Sequence, residues 1–514
     1  MTTSDRKILY LLLALSLVLR LACLNLNSAE YTDGILQLTA FERGFTFWPP
    51  VYSIAVKLVA LAVGDPERAG KLVSILSSTL LLIPLFGLTQ RLVSRRAAIY
   101  AALFYLTDPI AVRWGIRVMS DALFMLLFFW AAALFLRVST VEQTSEASGF
   151  EEEPSRGVLI SFVIACVLAP VATLTRYQGL LLLPVELLAL NALLAQRRRA
   201  SKSGGIAVGI VVLLPWLFVV AWLRAHAGGH EQQIAERAGQ SFARALVNYW
   251  NLAESFLFLF PYFITVAVFV LFAAGLGLFI AGDRPKRRFA WSFVFFAVVI
   301  IAMQSVFSSF QERYLLPLVP FMMVLAGTAA ARWEERAGPR LAPARTVLVL
   351  ALIYSLAFSA GVLILQREAF GDLKQAARYC ATEVPREARI FSNEWFKDLP
   401  AVKMSFWAGR TIEGYNGMQR LAKGDYLCLH SGYGGLSPYP ALVRALRFPG
   451  QLEQIRSQYD CQEMAWFSAR LIPLLPDIME NPDTHQNPVA WFYRYYPQQF
   501  RTVVLRIEGP RATR

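Results

Sequence analysis

The sequence predicts an all-α polytopic membrane domain of about eleven transmembrane helices, followed by a C-terminal extracytoplasmic α/β domain. Three observations lead there. Of the 514 residues 56% are hydrophobic and only 17% charged, with a mean hydropathy of +0.45, far more apolar than a soluble chain of this length. Apolar runs of spanning length recur up to residue 365, after which the composition becomes that of a soluble domain. The basic residues behind the net charge of +14 sit in short clusters between those runs. That is the pattern of positive-inside topology, and it excludes nucleic acid as the reason for the charge.

Taken in order, the predicted spans are 8–24, 72–88, 97–112, 122–136, 158–174, 180–194, 206–223, 256–281, 289–306, 315–329 and 347–365. Threading them puts five basic clusters on one side: Arg6 with Lys7; Arg91, Arg95 and Arg96; Arg197 to Arg199 with Lys202; Arg284 with Lys286 to Arg288; and Arg332, Arg336, Arg340 and Arg345. That side is the cytoplasm. The N-terminus has a basic start and an apolar run without a small-residue cleavage site, so it reads as an uncleaved signal anchor. The first loop, 26–70, the loop 224–254 and the C-terminal segment are then extracytoplasmic. Residues 51–64 are apolar but too short to span, and suit an interfacial or re-entrant helix leading out of Pro49-Pro50. The connector 138–156 is polar and carries Glu151 to Glu153.

The domains are thus 1–365, in the membrane, and 366–514, soluble. In the latter, 388–392, 425–429 and 502–507 read as strands. Trp395, Trp407, Tyr415, Tyr433, Tyr439 and Trp491 suit either an aromatic core or glycan contact. Cys23 and Cys166 lie in spans and read as packing residues. Cys380, Cys428 and Cys461 share the outer domain, where one disulfide among three possible pairs and free thiols are both open readings.

The segment 30–52 carries the chemistry. It contains Glu30-Tyr31-Thr32-Asp33-Gly34, Glu42-Arg43-Gly44 and Trp48-Pro49-Pro50-Val51-Tyr52. Acidic, glycine-broken and stopped by proline, it cannot cross a bilayer, and a carboxylate held beside lipid points to function. The competing reading for Asp33 is a helix cap or a solvated loop acid. For Arg117 and Asp121, four apart, it is an internal ion pair on one helical face. For Arg176 and Arg313 it is snorkelling at span ends.

With Asp33, Pro49-Pro50-Val51-Tyr52, Gly64-Asp65, Ala97-Ala98, Arg117-Val118-Met119-Ser120-Asp121-Ala122, Leu174-Thr175-Arg176-Tyr177-Gln178-Gly179-Leu180 and Glu312-Arg313-Tyr314-Leu315-Leu316-Pro317 in this order, the chain resembles the GT-C membrane glycosyltransferases. It looks most like the bacterial relatives of protein O-mannosyltransferases and lipid A aminoarabinose transferase (glycosyltransferase families 39 and 83). The resemblance implies an inverting transfer of a sugar from a polyprenyl-phosphate donor to an acceptor hydroxyl on a glycan, glycolipid or protein at the outer membrane face. It implies Asp33 as catalytic base, and Arg117, Arg176, Arg313 and Lys71 as ligands of the donor phosphate, with Arg68 a further candidate. Glu30, Tyr31, Trp48 and Tyr52 are then acceptor or sugar contacts. Two positions depart from the family: Trp48 stands where many relatives have a basic residue, and Gly34 where many have a second acid. Trp48 either stacks on a sugar ring or anchors at the interface.

No metal or other cofactor is expected. The four histidines are dispersed, and Gly228-Gly229 breaks any helix that would align His226 with His230. No Walker-type or glycine-rich phosphate loop is present, which argues against a nucleotide sugar as donor. The alternative class is a polytopic transporter or lipid flippase, but the halves show no relation and the charges concentrate at span ends rather than mid-membrane.

Overall fold

The computed structural model describes residues 2–45, 48–148, 156–197, 203–226, 264–306, 312–338, 341–393, 400–431, 440–471 and 498–511. Several expectations fall outside these residues: Trp395, Tyr433, Tyr439, Trp491, Arg198, Arg199, Lys202, Arg340, Glu151 to Glu153, His230, most of the loop 224–254 and the first part of the span 256–281.

Contacts divide the chain into a helical unit, built from Met1–Ala22, Ala40–Phe307 and Glu312–Ser359, and a second unit that joins Cys23–Thr39 to Ala360–Arg514. The grouping departs from a boundary at 365, because the start of the first loop is part of the second unit's core. Ala29 is fully buried there beside Phe370 and Leu373, and the Ser28 amide donates to the Arg367 carbonyl at 2.8 Å.

In the helical unit, α1 is Thr3–Ala22; α2, Thr32–Leu38, belongs to the second unit. A short α3, Ala40–Arg43, leads to α4, Val51–Val63, and then to α5, Pro66–Leu80, and α6, Leu82–Leu92. Next come α7, Arg95–Thr107; α8, Pro109–Trp114; α9, Asp121–Ser148; α10, Arg156–Thr173; α11, Leu182–Arg197; and α12, Ser203–His226. Finally α13 is Val266–Ile280, α14 Arg284–Val306, α15 Val319–Arg336 and α16 Leu341–Leu365. Among the described residues six helical segments are long and apolar enough to cross a membrane, and Val51–Val63, Val212–His226 and Val266–Ile280 are shorter apolar helices. Their outward faces are aliphatic, as on α12, where Leu213, Leu214, Leu217 and Phe218 are each 63% exposed. Such faces are stable only against lipid, and the chain is a multi-pass membrane protein.

The basic clusters meet at one end of this unit. Arg95 pairs with Asp5 at 3.2 Å and donates to Ser4 at 2.7 Å, joining the starts of α1 and α7. Glu334 takes a bond from Tyr100 at 3.0 Å and pairs with Arg345 at 2.5 Å, and Arg288 donates to the Ser139 carbonyl.

Close helix packing depends on single glycines. A Cβ on Gly275 of α13 would lie 1.9 Å from the Leu325 carbonyl oxygen of α15, whereas one on Gly277 would meet nothing within 4 Å. Gly275→Val is therefore expected to cost roughly 1–3 kcal/mol or more through overpacking. Gly277→Val changes little. Thermal unfolding of the two purified variants, side by side, checks this; equal melting points would refute it.

The second unit holds a five-stranded sheet of order β2-β1-β3-β5-β4. Strands β1, Ile390–Asn393, β2, Glu413–Tyr415, and β3, Tyr426–His430, run parallel, and β5, Gln498–Pro510, pairs antiparallel with both β3 and β4, Tyr459–Leu471. Helix α17, Gly371–Thr382, precedes β1; α18, Pro400–Ala408, links β1 to β2; and α19, Pro440–Gln458, precedes β4. Strands β1 and β3 are buried along their whole length, as a central parallel pair must be.

Cys380 and Cys428 face each other across α17 and β3 as thiols, Sγ to Sγ 3.5 Å, well beyond a covalent bond. Their mutual hydrogen bond and their burial push the Cys428 thiol well above its ordinary range. Both thiols are fully buried, so iodoacetamide at neutral pH is expected to leave both unmodified in the folded chain and to label both in denaturant. Peptide mass spectrometry checks it, and ready labelling of Cys428 before unfolding is the contrary result.

Candidate functional site

The helical unit gathers its buried cations where helices are interrupted. Asp108 ends α7 and caps α8, its carboxylate accepting from the Ala111 amide at 2.7 Å with Pro109 in the first turn. This break brings Arg113 and Trp114 to the end of α8, and residues 115–120 then turn without forming helix until α9 starts at Asp121. Arg117 lies in that turn, ahead of α9, so it does not share a helical face with Asp121. The turn is held from beneath by Ser74 of α5, which donates to the Met119 carbonyl at 3.1 Å.

Arg176 follows α10 and opens the 3-10 turn Tyr177–Leu181. The turn folds so closely over α10 that a Cβ at Gly179 would sit 2.4 Å from the Thr173 backbone nitrogen. Arg313 lies in a second 3-10 turn, Glu312–Leu318, ahead of α15. These two arginines, far apart in sequence, share one carboxylate. Arg176 Nη1 donates to Asp121 Oδ1 at 2.5 Å, and Arg313 Nη1 stands 4.0 Å from Asp121 Oδ2. All three are at most 5% exposed.

Aromatic rings frame the pair. The Arg313 guanidinium lies 5.5 Å from the Trp114 ring and 5.4 Å from that of Tyr314, and Arg176 lies 5.5 Å from Tyr314 on its own side. Arg113 is over Trp114 at 5.1 Å. Ser120, between Arg117 and Asp121 in sequence, is 1% exposed with a hydroxyl that has no hydrogen-bond partner among the described residues. Two buried guanidiniums that meet one carboxylate in a low dielectric are groups that an anion can engage. Guanidiniums suit phosphate because their N–H groups meet its oxygens in pairs.

The other expected residues are placed as follows. Lys71 is buried on α5 and pairs with Glu67 one turn earlier at 3.4 Å. Arg68 is exposed beside Asp65. Tyr52 is 1% exposed, and its hydroxyl donates to the Gly70 carbonyl at 3.1 Å, which ties α4 to α5. Trp48 is half-buried, and its indole N–H has no acceptor among the described residues.

In the second unit, Asp33 is half-buried in the first turn of α2, where the helix dipole favours an anion. Tyr31, not Asp33, holds the N-cap position. Glu30 is fully buried, and Tyr31 sets its ring edge on Phe370 at 5.2 Å.

Sequence reasoning missed Arg113, Trp114, Ser120 and Tyr314. The signal for the first two was available: Asp108-Pro109 is a helix stop inside the apolar run 97–112. Ser120 and Tyr314 stand inside the segments 117–122 and 312–317, but the burial of the one and the placing of the other against Arg176 come from distant packing that no local pattern records.

A family model of the dolichyl-phosphate-mannose-protein mannosyltransferases matches residues 48–222. No curated protein matches the chain by sequence. Among solved structures, ArnT from Cupriavidus metallidurans is similar over 98% of both chains in the apo state, at 15% identity and a TM-score of 0.54. Bound to undecaprenyl phosphate it gives 16% and 0.53, with 96% and 97% covered. The Archaeoglobus fulgidus oligosaccharyltransferase is similar over 88% of this chain and 72% of its own, at 11% identity and 0.51. The arabinofuranosyltransferase AftD from Mycobacteria matches 98% of this chain but 42% of its own, at 14% and 0.51. At these identities the likeness concerns architecture, and it agrees with the helix order and the terminal sheet: the chain has the fold of the GT-C membrane glycosyltransferases.

Proposed function

We propose that the protein is an inverting glycosyltransferase that moves a sugar from a polyprenyl-phosphate donor to an acceptor hydroxyl at the extracytoplasmic face of the bacterial inner membrane. The observation that carries the reading is the sharing of buried Asp121 by Arg176 and Arg313, beside the unpartnered hydroxyl of Ser120. The undecaprenyl phosphate bound by ArnT is the kind of ligand such a cluster suits.

In this reading the donor phosphate lies against Arg176 and Arg313, with Arg113, Arg117 and Lys71 adding positive charge from the same unit. The acceptor oxygen attacks the anomeric carbon and forms the new bond as the bond from that carbon to phosphate oxygen breaks. The leaving polyprenyl phosphate keeps the electron pair, and guanidiniums stabilise the charge that develops on it. The acceptor proton passes to the carboxylate of Asp33. One displacement inverts the anomeric centre. The cations take the place that a metal ion would fill at a phosphoryl leaving group, so no metal is called for. The N-terminus is cytoplasmic and the second unit extracytoplasmic, with the acceptor a glycan, glycolipid or protein.

The test is a deletion strain complemented with the gene, its envelope glycans and lipid-linked sugars read by mass spectrometry. Loss of one glycan sugar together with a rise of the matching polyprenyl-phosphate sugar is expected. An unchanged profile, with flux of undecaprenyl phosphate across liposomes holding the purified chain and no acceptor, would instead identify a flippase.

A further inference from the structure

Helix α15 ends at Arg336, and Gly338 turns the chain at φ 49° before α16 begins at Leu341, a left-handed stop that glycine allows. Ala337, Pro343 and Ala344 are too small to fill the corner between the two helices. An open pocket of about 330 Å³ is left there, walled also by Trp333, Arg336 and Val347, a size near the lower end for small-molecule sites.

Both glutamates of this corner are engaged. Glu334 accepts from Tyr100 at 3.0 Å and pairs with Arg345 at 2.5 Å, and Glu335 holds Arg332 at 3.0 Å. Arg336 is exposed and makes no hydrogen bond or ion pair among the described residues. An arginine in the last turn of a helix is favoured by the dipole, so its charge alone carries nothing. The pocket beside it and an apolar track leading away from it are what that reading does not supply. Trp333 is 41% exposed, and indoles concentrate at the level of lipid headgroups. Along α16, Val347, Leu350 and Tyr354 are 49%, 57% and 51% exposed, and their spacing of three and four puts them on one helical face.

We propose that this corner binds an anionic phospholipid, phosphatidylglycerol. Arg336 holds the phosphodiester, the glycerol headgroup fills the pocket beside Trp333, and an acyl chain runs along Val347, Leu350 and Tyr354. Phosphatidylethanolamine fits less well, because its ammonium needs a free carboxylate and Glu334 and Glu335 are taken. The site is independent of sugar transfer.

Native mass spectrometry of the purified full-length chain tests it, with phosphatidylglycerol or phosphatidylethanolamine of matched acyl chains added to the detergent. Phosphatidylglycerol is expected at the higher occupancy. Arg336→Gln is expected to lower that occupancy about fivefold, the worth of one cation at an anionic membrane surface. Arg332→Gln removes the same charge one turn earlier, outside the pocket, and should change it little. Ala337→Phe fills the pocket at unchanged charge and should lower the occupancy too, with melting point and undecaprenyl phosphate binding kept. Equal losses from Arg336→Gln and Arg332→Gln, or equal retention of the two lipids by the parental chain, overturn the proposal. Loss of undecaprenyl phosphate binding in Arg336→Gln also overturns it, since the corner would then belong to the donor site. If Ala337→Phe is not recovered folded, the two exposed arginines decide.

Discussion

Asp33→Asn is expected to lower sugar transfer by about 10²–10⁴-fold, the usual worth of a positioned general base. Asparagine keeps the shape and the hydrogen-bonding reach of the side chain but cannot take a proton. The fold has little reason to respond. Asp33 is half-buried in the first turn of α2 and is not its cap, and the segment is tied into its unit by Ala29 in the core, the Tyr31 ring on Phe370 and the Ser28 amide on Arg367. Undecaprenyl phosphate binding should also persist, since the base acts on the acceptor. The complemented deletion strain reads the transfer and a melting curve reads the fold. Parental transfer by this variant would remove Asp33 from the mechanism.

Arg313→Gln is expected to weaken undecaprenyl phosphate binding by about 2 kcal/mol or more, roughly thirtyfold. The choice of Arg313 over Arg176 follows from the distances. Arg176 makes the tight bond to Asp121 at 2.5 Å, and its removal would strand a buried carboxylate; Arg313, at 4.0 Å from Asp121, can be neutralised with that pair intact. One guanidinium fewer then faces the phosphate, and the pull on it falls. Because the groups are buried, the loss should change little with salt. Arg68→Ala supplies the control, for Arg68 is exposed and pairs only weakly with Asp65. Binding to the purified chain, measured by native mass spectrometry, checks the pair. Equal losses from both substitutions would mean that surface charge, not the buried cluster, attracts the lipid.

Charge within the first loop illustrates what can be read before folding. Asp33 stood out because an acid beside an apolar span is costly, and that judgement needs only neighbours in sequence. Tyr52, in the same stretch, shows what cannot be read there: its hydroxyl donates to the carbonyl of Gly70 in α5, a partner that appears only when α4 lies on α5. Strands β2 and β4 were missed for a related reason. β2 has three residues and β4 is a partly exposed strand carrying Glu463 and Arg470, so neither has the apolar pattern of β3.

The amino-acid sequence by itself determined the membrane class, the order of helices and the residue types at their breaks, because hydropathy, helix stops and charge clustering are local properties of the chain. Tertiary structure alone decided that Asp121 serves Arg176, 55 residues away, and Arg313 together, that Ser120 is buried, and that residues 23–39 fold with the terminal sheet. A carboxylate's partner depends on which distant segment packing brings within 4 Å, and no periodicity along the chain records that choice.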